Sequence, residues 1–213
     1  MKIKPMNAVV LNGKITELTE EQVKSIVEGL SGTVKKGSRK LSGIKAGDTF
    51  KIGDHEFIVL EQSGDTTAVL SKGLIENEVT FGATPDFSKS NVKKILDKFS
   101  KELSCVVGSD AFVTHTVDQT TLDGMKTYGS TKETMSLMTI DHLRKYADIL
   151  DGHKVDKYYW LVTPWSTPDR GYKTGVCVVA PSGYVGGSGG IYYYCGVRPF
   201  CIFSSCIFVS RKA

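Results

Sequence analysis

The sequence predicts an α+β fold, in which two helices pack on a twisted, mainly antiparallel sheet behind a small N-terminal helical appendage. Three observations support this prediction. Short runs of β-branched and aromatic residues, separated by tight turns, occupy both ends of the region after residue 40. Two segments with apolar residues at helical spacing lie between those runs. The chain shows neither an internal repeat nor the helix–strand alternation that is typical of a parallel sheet.

The first predicted element is a helix over residues 19–31. Thr19-Glu-Glu-Gln22 has the form of a capping box, and apolar residues follow it at helical spacing. A stretch rich in glycine and lysine then breaks the pattern. We therefore divide the chain into residues 1–40, a segment with one helix and a basic linker, and residues 41–213, the main domain. The helix either packs on the main domain or pairs with a second copy of itself, which would make the protein a homo-oligomer.

A β-meander is predicted to open the main domain. The runs Thr49–Ile52 and Glu56–Leu60 flank the turn sequence Gly53-Asp54. A further run, Thr67–Leu70, follows a second turn at residues 63–65. Tight turns between short runs of this composition are typical of antiparallel strands that are neighbours in sequence.

Two helices are predicted in the middle of the domain. The first begins near Ser88 and has one apolar face, formed by Val92, Ile95, Leu96, Phe99 and Leu103. The second begins at Thr139, a suitable N-cap, and ends at Asp151-Gly152. Its inward-facing residues are expected to be Ile140, Leu143, Ala147 and Leu150.

After Tyr158 only strand and turn signals remain. Strands are predicted over residues 158–163, 175–180, 197–200 and 202–209. Trp160 and Trp165 are expected to be anchors in the core or in a loop, because large aromatic side chains usually contribute to burial. Arg198 lies in an otherwise apolar strand, so we expect it to be buried and paired.

The overall composition is that of a soluble globular protein. The chain has 213 residues, of which 40% are hydrophobic and 23% charged, and its formal net charge is +4. The one compact basic run, at residues 35–40, lies among glycines and is interpreted as a solvated linker, so nucleic-acid binding is disfavoured. No segment resembles a signal peptide or a membrane span, so we expect a protein that is cytoplasmic where it is synthesised and has no membrane partner.

The five cysteines form no Cys-x-x-Cys pair and no metal-ligand spacing. Three of them lie in apolar, strand-like sequence and are expected to be buried. A nucleophilic cysteine would need a neighbouring base and electropositive surroundings, and the four histidines lie elsewhere in the sequence. We therefore expect no catalytic residue, no metal site and no cofactor.

The most distinctive segment is residues 171–213, which contains no Asp or Glu and is rich in Tyr, Gly, Ser and Cys. Tyrosine offers a large and fairly rigid contact surface, while glycine and serine let a loop adapt, and this mixture recurs in evolved binding loops. A segment without carboxylates is poorly suited to a hard cation such as calcium. The predicted ligand-binding residues are Arg170, Tyr172, Tyr184, Ser188, Tyr192, Tyr193 and Tyr194.

Four segments carry a resemblance to a known family: Phe50–Leu60, Met135–Tyr146, Tyr159–Trp165 and Gly196–Phe200. They resemble an uncharacterised bacterial and phage family with C-type lectin-like domains. Its better-known relatives are the variable proteins of diversity-generating retroelements and the formylglycine-generating enzyme fold. The resemblance covers about residues 41–213. It implies two helices packed on a highly twisted sheet, with the late strands and their loops forming the ligand-facing surface.

What the resemblance implies about chemistry is limited. The Glu-Pro-Asn, Gln-Pro-Asp and Trp-Asn-Asp motifs of calcium-dependent sugar-binding lectins do not occur. The enzymes of the related fold use a reactive cysteine pair, but Cys195 and Cys201 do not match its motif. Retroelement mutagenesis of AAY codons can produce every residue from Thr174 to Ser210. Short strands and turns favour many of the same residues, so this agreement is permissive only.

The prediction is therefore a non-enzymatic, phage- or prophage-encoded module that binds a protein or a glycan through its C-terminal loops without calcium. One alternative is a cysteine-dependent, oxidase-like enzyme on the formylglycine-generating enzyme fold, acting through Cys195 or Cys201. Another is a virion structural component that associates through the helix at residues 19–31. A protein synthesised in the cytoplasm could still be virion-associated, so the sequence leaves the place of action open.

Overall fold

The computed structural model of the protein describes residues 8–11, 14–17, 38–191 and 193–211. The chain divides into two compact units, Met1–Ser38 and Arg39–Ala213. In the first unit, the strands β1 (Ala8–Leu11) and β2 (Lys14–Glu17) form an antiparallel hairpin, which the sequence did not predict. The helix predicted over residues 19–31 lies outside the described residues, and so does Tyr192.

The second unit is a mixed α/β structure with curled, mainly antiparallel sheets, and its described part has three α-helices. The helices are α1 (Asn91–Val107), α2 (Ile140–Lys145) and α3 (Ala147–Asp151). The strands are β3 (Ser38–Lys40), β4 (Thr49–Ile52), β5 (His55–Ser63), β6 (Thr66–Ser71), β7 (Glu76–Val79), β8 (Phe112–Val113), β9 (His115–Asp118), β10 (Ser130–Glu133), β11 (Met135–Ser136), β12 (Tyr159–Pro164), β13 (Gly175–Val179), β14 (Val185–Gly189), β15 (Cys195–Val197), β16 (Phe200–Ser204) and β17 (Phe208–Arg211).

The larger sheet has eight strands, in the order β11-β16-β6-β5-β4-β17-β3, with β8 also paired to β16. It contains the predicted meander of β4, β5 and β6, whose first turn places Gly53 at φ 57°. The late strand β17 pairs with β4 through Ser210 and Lys51. The early and late strands of the unit therefore meet in one sheet.

The second sheet has five strands, in the order β14-β13-β12-β15-β7. β12 and β15 are parallel and pair Tyr159 with Gly196, whereas the other neighbours are antiparallel. β14 is an edge strand of this sheet. A separate two-stranded ladder joins β9 and β10.

Two apolar clusters form the core of the unit. The first contains the buried face of α1, and the second contains residues of α2, α3, β12 and β13. Successive residues of β5 alternate between them, with Phe57 and Val59 in the first cluster and Ile58 and Leu60 in the second. Since successive side chains of a strand point to opposite faces, both faces of the larger sheet are covered.

Helix α1 confirms the sequence prediction. Ser90 caps it by accepting a hydrogen bond from the backbone N–H of Lys93, and the face containing Val92, Leu96, Phe99 and Leu103 is buried. Ile95, also predicted on this face, is partly buried against the same cluster. The apolar spacing of a long amphipathic helix was sufficient to identify it.

The second predicted helix is in fact two short ones. Thr139 caps α2 as expected, with its hydroxyl accepting from the N–H of His142. The backbone then leaves helical geometry at Tyr146, at φ −109° and ψ 19°. Tyr146 is buried, and its hydroxyl donates to the Glu61 carboxylate at 2.7 Å. Ala147, predicted to face inward, is exposed and is the first residue of α3.

The late strands also differ in detail from the prediction. The predicted strands over 197–200 and 202–209 appear as β15, β16 and β17, separated by Arg198-Pro199 and by a turn at residues 205–207. β14 was not predicted at all, because its sequence Val-Gly-Gly-Ser-Gly reads as a loop. The short strands β7 to β11 were missed as well, because none is longer than four residues.

Candidate ligand-binding groove

An open groove lies at the end of the β13–β14 hairpin, beside the point where β12 ends. Its volume is ≈ 440 Å³, within the roughly 300–1,000 Å³ that is typical of small-molecule sites. The residues that line it are Trp165, Gly171, Tyr172, Lys173, Thr174, Gly175, Gly187, Ser188 and Gly189. Among these residues there is no carboxylate.

Strand register brings the distant parts of this groove together. Val176 of β13 lies opposite Ser188 of β14 and opposite Pro164 of β12. The next residue after β12, Trp165, donates its backbone N–H to the carbonyl of Gly175 at 2.8 Å. Trp165 and Ser188 therefore flank the beginning of β13 from its two sides.

Glycine residues make room for the Trp165 ring. A Cβ atom at Gly187 would lie 2.5 Å from Cε3 and 2.6 Å from Cδ2 of the indole. A Cβ at Gly175 would lie 3.0 Å from Cβ of Trp165. Real Cβ atoms essentially never approach as closely as 2.5 Å, so position 187 requires glycine while the ring stays where it is. At position 175 a side chain would make an unusually tight contact that Trp165 would have to relieve. Trp165 is partly buried and forms the floor of the groove.

The sequence prediction treated Trp160 and Trp165 alike, and only Trp160 is wholly a core residue. Trp160 is fully buried, and its indole N–H donates to the carbonyl of Val79 at 2.7 Å. The role of Trp165 was missed because it depends on the absence of side chains at positions 175 and 187. The sequence feature that could have indicated this role is the run of glycines in β14, because a strand without side chains leaves space for an aromatic ring.

A tight turn presents Tyr172 to the groove. A 3-10 helix at Pro168–Arg170 ends at Gly171, which adopts φ +89°. The backbone N–H of Tyr172 donates to the carbonyl of Thr167 at 3.1 Å. The side chain of Tyr172 remains 49% exposed, so a large part of the ring is available to a ligand.

Asp123 holds this turn in place. Its carboxylate accepts hydrogen bonds from the hydroxyls of Thr121 and Ser166, at 2.5 and 2.7 Å, and from Nη1 of Arg170 at 2.6 Å. These donors stabilise the charged form and lower the pKa of Asp123 to about 2. Arg170, predicted as a ligand contact, is therefore engaged in an ion pair. Sequence reasoning missed this partner because it lies 47 residues away.

The predicted tyrosines do not form a single cluster. Tyr184 is 71% exposed and lies in the turn between β13 and β14, at the end of the hairpin away from the groove. Tyr193 and Tyr194 are 59% and 66% exposed. Their loop adjoins the groove, because the N–H of Gly190 donates to the carbonyl of Thr174 at 2.7 Å.

All five cysteines, which lie in the described part of the chain, are free thiols. Cys177, Cys195 and Cys201 are buried, whereas Cys105 and Cys206 are exposed. Burial raises the pKa of Cys195 to about 11 and that of Cys177 to about 12, and it raises the pKa of Cys201 as well. These three thiols are therefore protonated near neutral pH, and the reactive thiolate is not formed.

No three His, Cys, Asp or Glu side chains in the described part of the chain come together as a metal site requires. None of its helices combines the length and the apolarity needed to cross a bilayer. Comparisons with protein-family models, curated proteins and solved structures found no match. The arrangement of the groove is thus the basis for a functional proposal.

Proposed function

We propose that Arg39–Ala213 is a non-enzymatic binding module of C-type lectin-like fold, phage- or prophage-encoded, that holds a protein or glycan target without calcium. The observation that carries the proposal is the groove itself. It combines the aromatic surfaces of Trp165 and Tyr172 with the hydroxyl of Ser188 and bare glycine backbone. Such a mixture of apolar surface and a few polar groups is typical of ligand sites.

The fold assignment is supported by the position of the groove. Helices cover both faces of a curled sheet, and the residues of the groove lie on the late strands β13 and β14 and on the loop that precedes β13. This is the arrangement that the resemblance to C-type lectin-like domains implies.

Two or three residues would contribute most of the binding free energy. Tyr and Trp dominate interface hot spots because each buries a large surface with few rotatable bonds. Tyr172 is held by a tight turn and Trp165 by contact with Gly187, so both rings are preorganised. Preorganised groups lose little entropy on binding. Lys173 adds a positive charge to a groove without lining acids, which favours a neutral or acidic target.

The oxidase alternative receives no support from the cysteines. Cys195 lies in β15 of the five-stranded sheet, and Cys201 lies in β16 of the eight-stranded sheet. Both are buried, and burial disfavours the thiolate that such chemistry needs. Self-association through residues 19–31 remains a prediction, since those residues lie outside the described ranges.

The test is a screen of the full chain against a glycan array and a peptide-display library, with and without EDTA. For a target so identified, Trp165→Ala and Tyr172→Ala should each weaken binding at least about tenfold, the loss typical of hot-spot residues. The melting temperature of Tyr172→Ala should be nearly unchanged, because that ring is half exposed. Tyr158→Ala is the matched control, because Tyr158 is 52% exposed but lies at the opposite end of β12.

The tyrosine loop is tested in the same assay. The double variant Tyr193→Ala/Tyr194→Ala removes two exposed rings next to the groove and should weaken binding while leaving the fold intact. Unchanged affinity in all groove and loop variants would place the site elsewhere. Loss of binding in EDTA would contradict a calcium-independent mode.

A further inference from the structure

A second pocket lies at the other end of the β13–β14 hairpin from the groove, next to α2 and α3. Its volume is ≈ 220 Å³, and Ser182 and Gly183 of the hairpin turn form part of its rim. Its walls are mostly apolar and include Leu143, Leu150 and Val179. The polar side chains that also line it include Tyr159 and Arg198.

Arg198 is the unusual member of this set, because it is only 2% exposed. Its Nε donates to the carbonyl of Ser71 at 2.9 Å. Its Nη2 donates to the carbonyls of Lys72 and His153, at 3.1 and 2.8 Å. Within residues 39–191 and 193–210, no carboxylate pairs with the guanidinium, and no backbone carbonyl accepts from Nη1.

The charge on this guanidinium is therefore only partly compensated. An arginine stays protonated in proteins, so it cannot escape burial by becoming neutral. Carbonyl groups satisfy its N–H donors but bring no negative charge. The other ions at the pocket are Lys154 and Asp151, which pair with each other at 2.6 Å. The net charge that faces the pocket is thus positive and comes from Arg198.

Tyr159 adds a hydroxyl beside this charge. The guanidinium lies over the Tyr159 ring, with Cζ 5.3 Å from the ring centroid. Burial raises the pKa of Tyr159, while the positive charge of Arg198 and a hydrogen bond from its guanidinium oppose part of that rise. The phenol therefore remains a protonated donor at neutral pH. A guanidinium N–H and a phenol O–H together form a donor pair suited to one carboxylate.

We propose that this pocket binds the carboxylate of a small apolar acid. The carboxylate accepts hydrogen bonds from the guanidinium of Arg198 and from the Tyr159 hydroxyl, while the hydrocarbon part lies against Leu143, Leu150 and Val179. The volume is below the roughly 300–1,000 Å³ of sites for drug-sized ligands, so the acid is a short one. A monocarboxylate neutralises the single unpaired charge, and its tail matches the apolar walls.

The hydrogen bonds from Arg198 to backbone carbonyls offer a simpler explanation of its burial. In that explanation Arg198 has only a structural role and links the backbone at Ser71, Lys72 and His153. That role does not account for the apolar pocket beside the guanidinium, or for the lack of a carboxylate partner among the described residues. The two explanations differ in a measurable way. A purely structural arginine gives no preference for an acid over its neutral amide.

The test is a titration of the full chain with sodium octanoate, followed by calorimetry and by backbone amide NMR. Octanoate should bind with a stoichiometry of one and a dissociation constant below about 1 mM, and it should shift the amide signals of Leu150 and Val179. Octanamide, which has the same tail but no charge, should bind at least about tenfold more weakly. Absence of saturable binding, or equal affinity for the two compounds, would overturn the proposal.

A variant at the pocket mouth completes the test. Replacing Arg198 removes three backbone contacts and can unfold the chain, so the change is made at Ala147, an exposed residue of α3 that lines the pocket. Ala147→Phe should block octanoate, whereas Asp148→Phe, at the next exposed position of α3, should not. Tyr172→Ala should leave octanoate binding intact, because Tyr172 is half exposed and belongs to the groove at the other end of the hairpin. Octanoate binding that survives Ala147→Phe would show that this pocket is not the site.

Discussion

The indole ring of Trp165 lies against the backbone of Gly187, so closely that a Cβ atom at position 187 would fall 2.5 Å from Cε3 of the ring. The contact joins the residue that follows β12 to an edge strand that begins 20 residues later in the chain. It explains two features at once: why position 187 of β14 is a glycine, and why a tryptophan forms the floor of the groove.

Gly187→Ala should displace the Trp165 ring. The added methyl group overlaps a rigid indole, and we expect a loss of about 1–3 kcal/mol in the free energy of unfolding, as for other overpacked sites. Trp160 is fully buried, so the change in acrylamide quenching of tryptophan fluorescence should come from Trp165. Quenching should increase, and affinity for the groove ligand should fall.

The neighbouring residue supplies the control for that experiment. A Cβ at Gly186 would lie 3.3 Å from Cε1 of Tyr184, an exposed ring that can move away. Gly186→Ala should therefore leave quenching and binding close to the wild-type values. Equal effects at both positions would mean that general strain in β14, and not the Trp165 contact, is responsible.

Asp123→Asn should loosen the turn that presents Tyr172. The change weakens the charge-assisted bonds to Ser166 and Arg170, and the backbone N–H groups of Gly171 and Tyr172 should exchange roughly three- to tenfold faster with deuterium. Asp169→Asn, at the exposed neighbour of Arg170, is the control and should leave these rates unchanged.

The lowered pKa of Asp123 predicts how the stability of the turn depends on pH. The pKa of Asp123 is lowered to about 2 from an ordinary value of 3.8. The stabilisation of the turn by the ionised carboxylate is therefore fully present above pH 3.8. This stabilisation is lost as the pH falls from 3.8 towards 2. Protection of the Tyr172 amide, corrected for intrinsic exchange, should therefore be constant between pH 7 and pH 5. A marked loss of protection within that range would contradict the assignment.

His115 should make the fold sensitive to mild acid. It is buried, lies 2.9 Å from the Ser136 hydroxyl through Nε2, and packs edge-on against Phe200. Burial lowers its pKa from 6.5 to about 4. As the pH falls, the unfolded state therefore binds a proton before the folded state does. The free energy of unfolding is unaffected above pH 6.5 and declines as the pH falls towards 4. The decline should be on the order of 3 kcal/mol.

Urea unfolding at several pH values between 7 and 4 measures this decline. His115→Leu removes the titrating group and should flatten the dependence of the unfolding free energy on pH. Some dependence should remain, because burial also lowers the pKa of the partly buried His142. A slope identical to that of the wild type would show that another group controls acid unfolding.

The cysteines should divide sharply in their reactivity. Brief treatment of the native protein with iodoacetamide at neutral pH should label Cys105 and Cys206, which are exposed. Cys177, Cys195 and Cys201 should react only after unfolding, because burial holds each as a thiol. Peptide mass spectrometry distinguishes the five sites. Rapid labelling of native Cys195 or Cys201 would revive the oxidase alternative.

The sequence by itself was enough to identify elements whose signal is local. Helix α1 and the meander of β4, β5 and β6 were predicted because apolar residues at helical spacing, or short β-branched runs around a turn, need no distant partner to be recognised. It also singled out Tyr172 and Ser188, which the structure places at one groove. Composition alone predicted that this region is a contact surface.

Only the tertiary structure decided which of those residues meet. A strand made of Val-Gly-Gly-Ser-Gly forms because it pairs with β13 and gives the Trp165 ring a bare surface to cover. Arg170 forms an ion pair with Asp123, which lies 47 residues earlier in the chain, and Tyr184 lies at the far end of the hairpin from the groove. Pairing register and close packing act between residues that are remote in sequence, so no local pattern of apolar or polar residues encodes them.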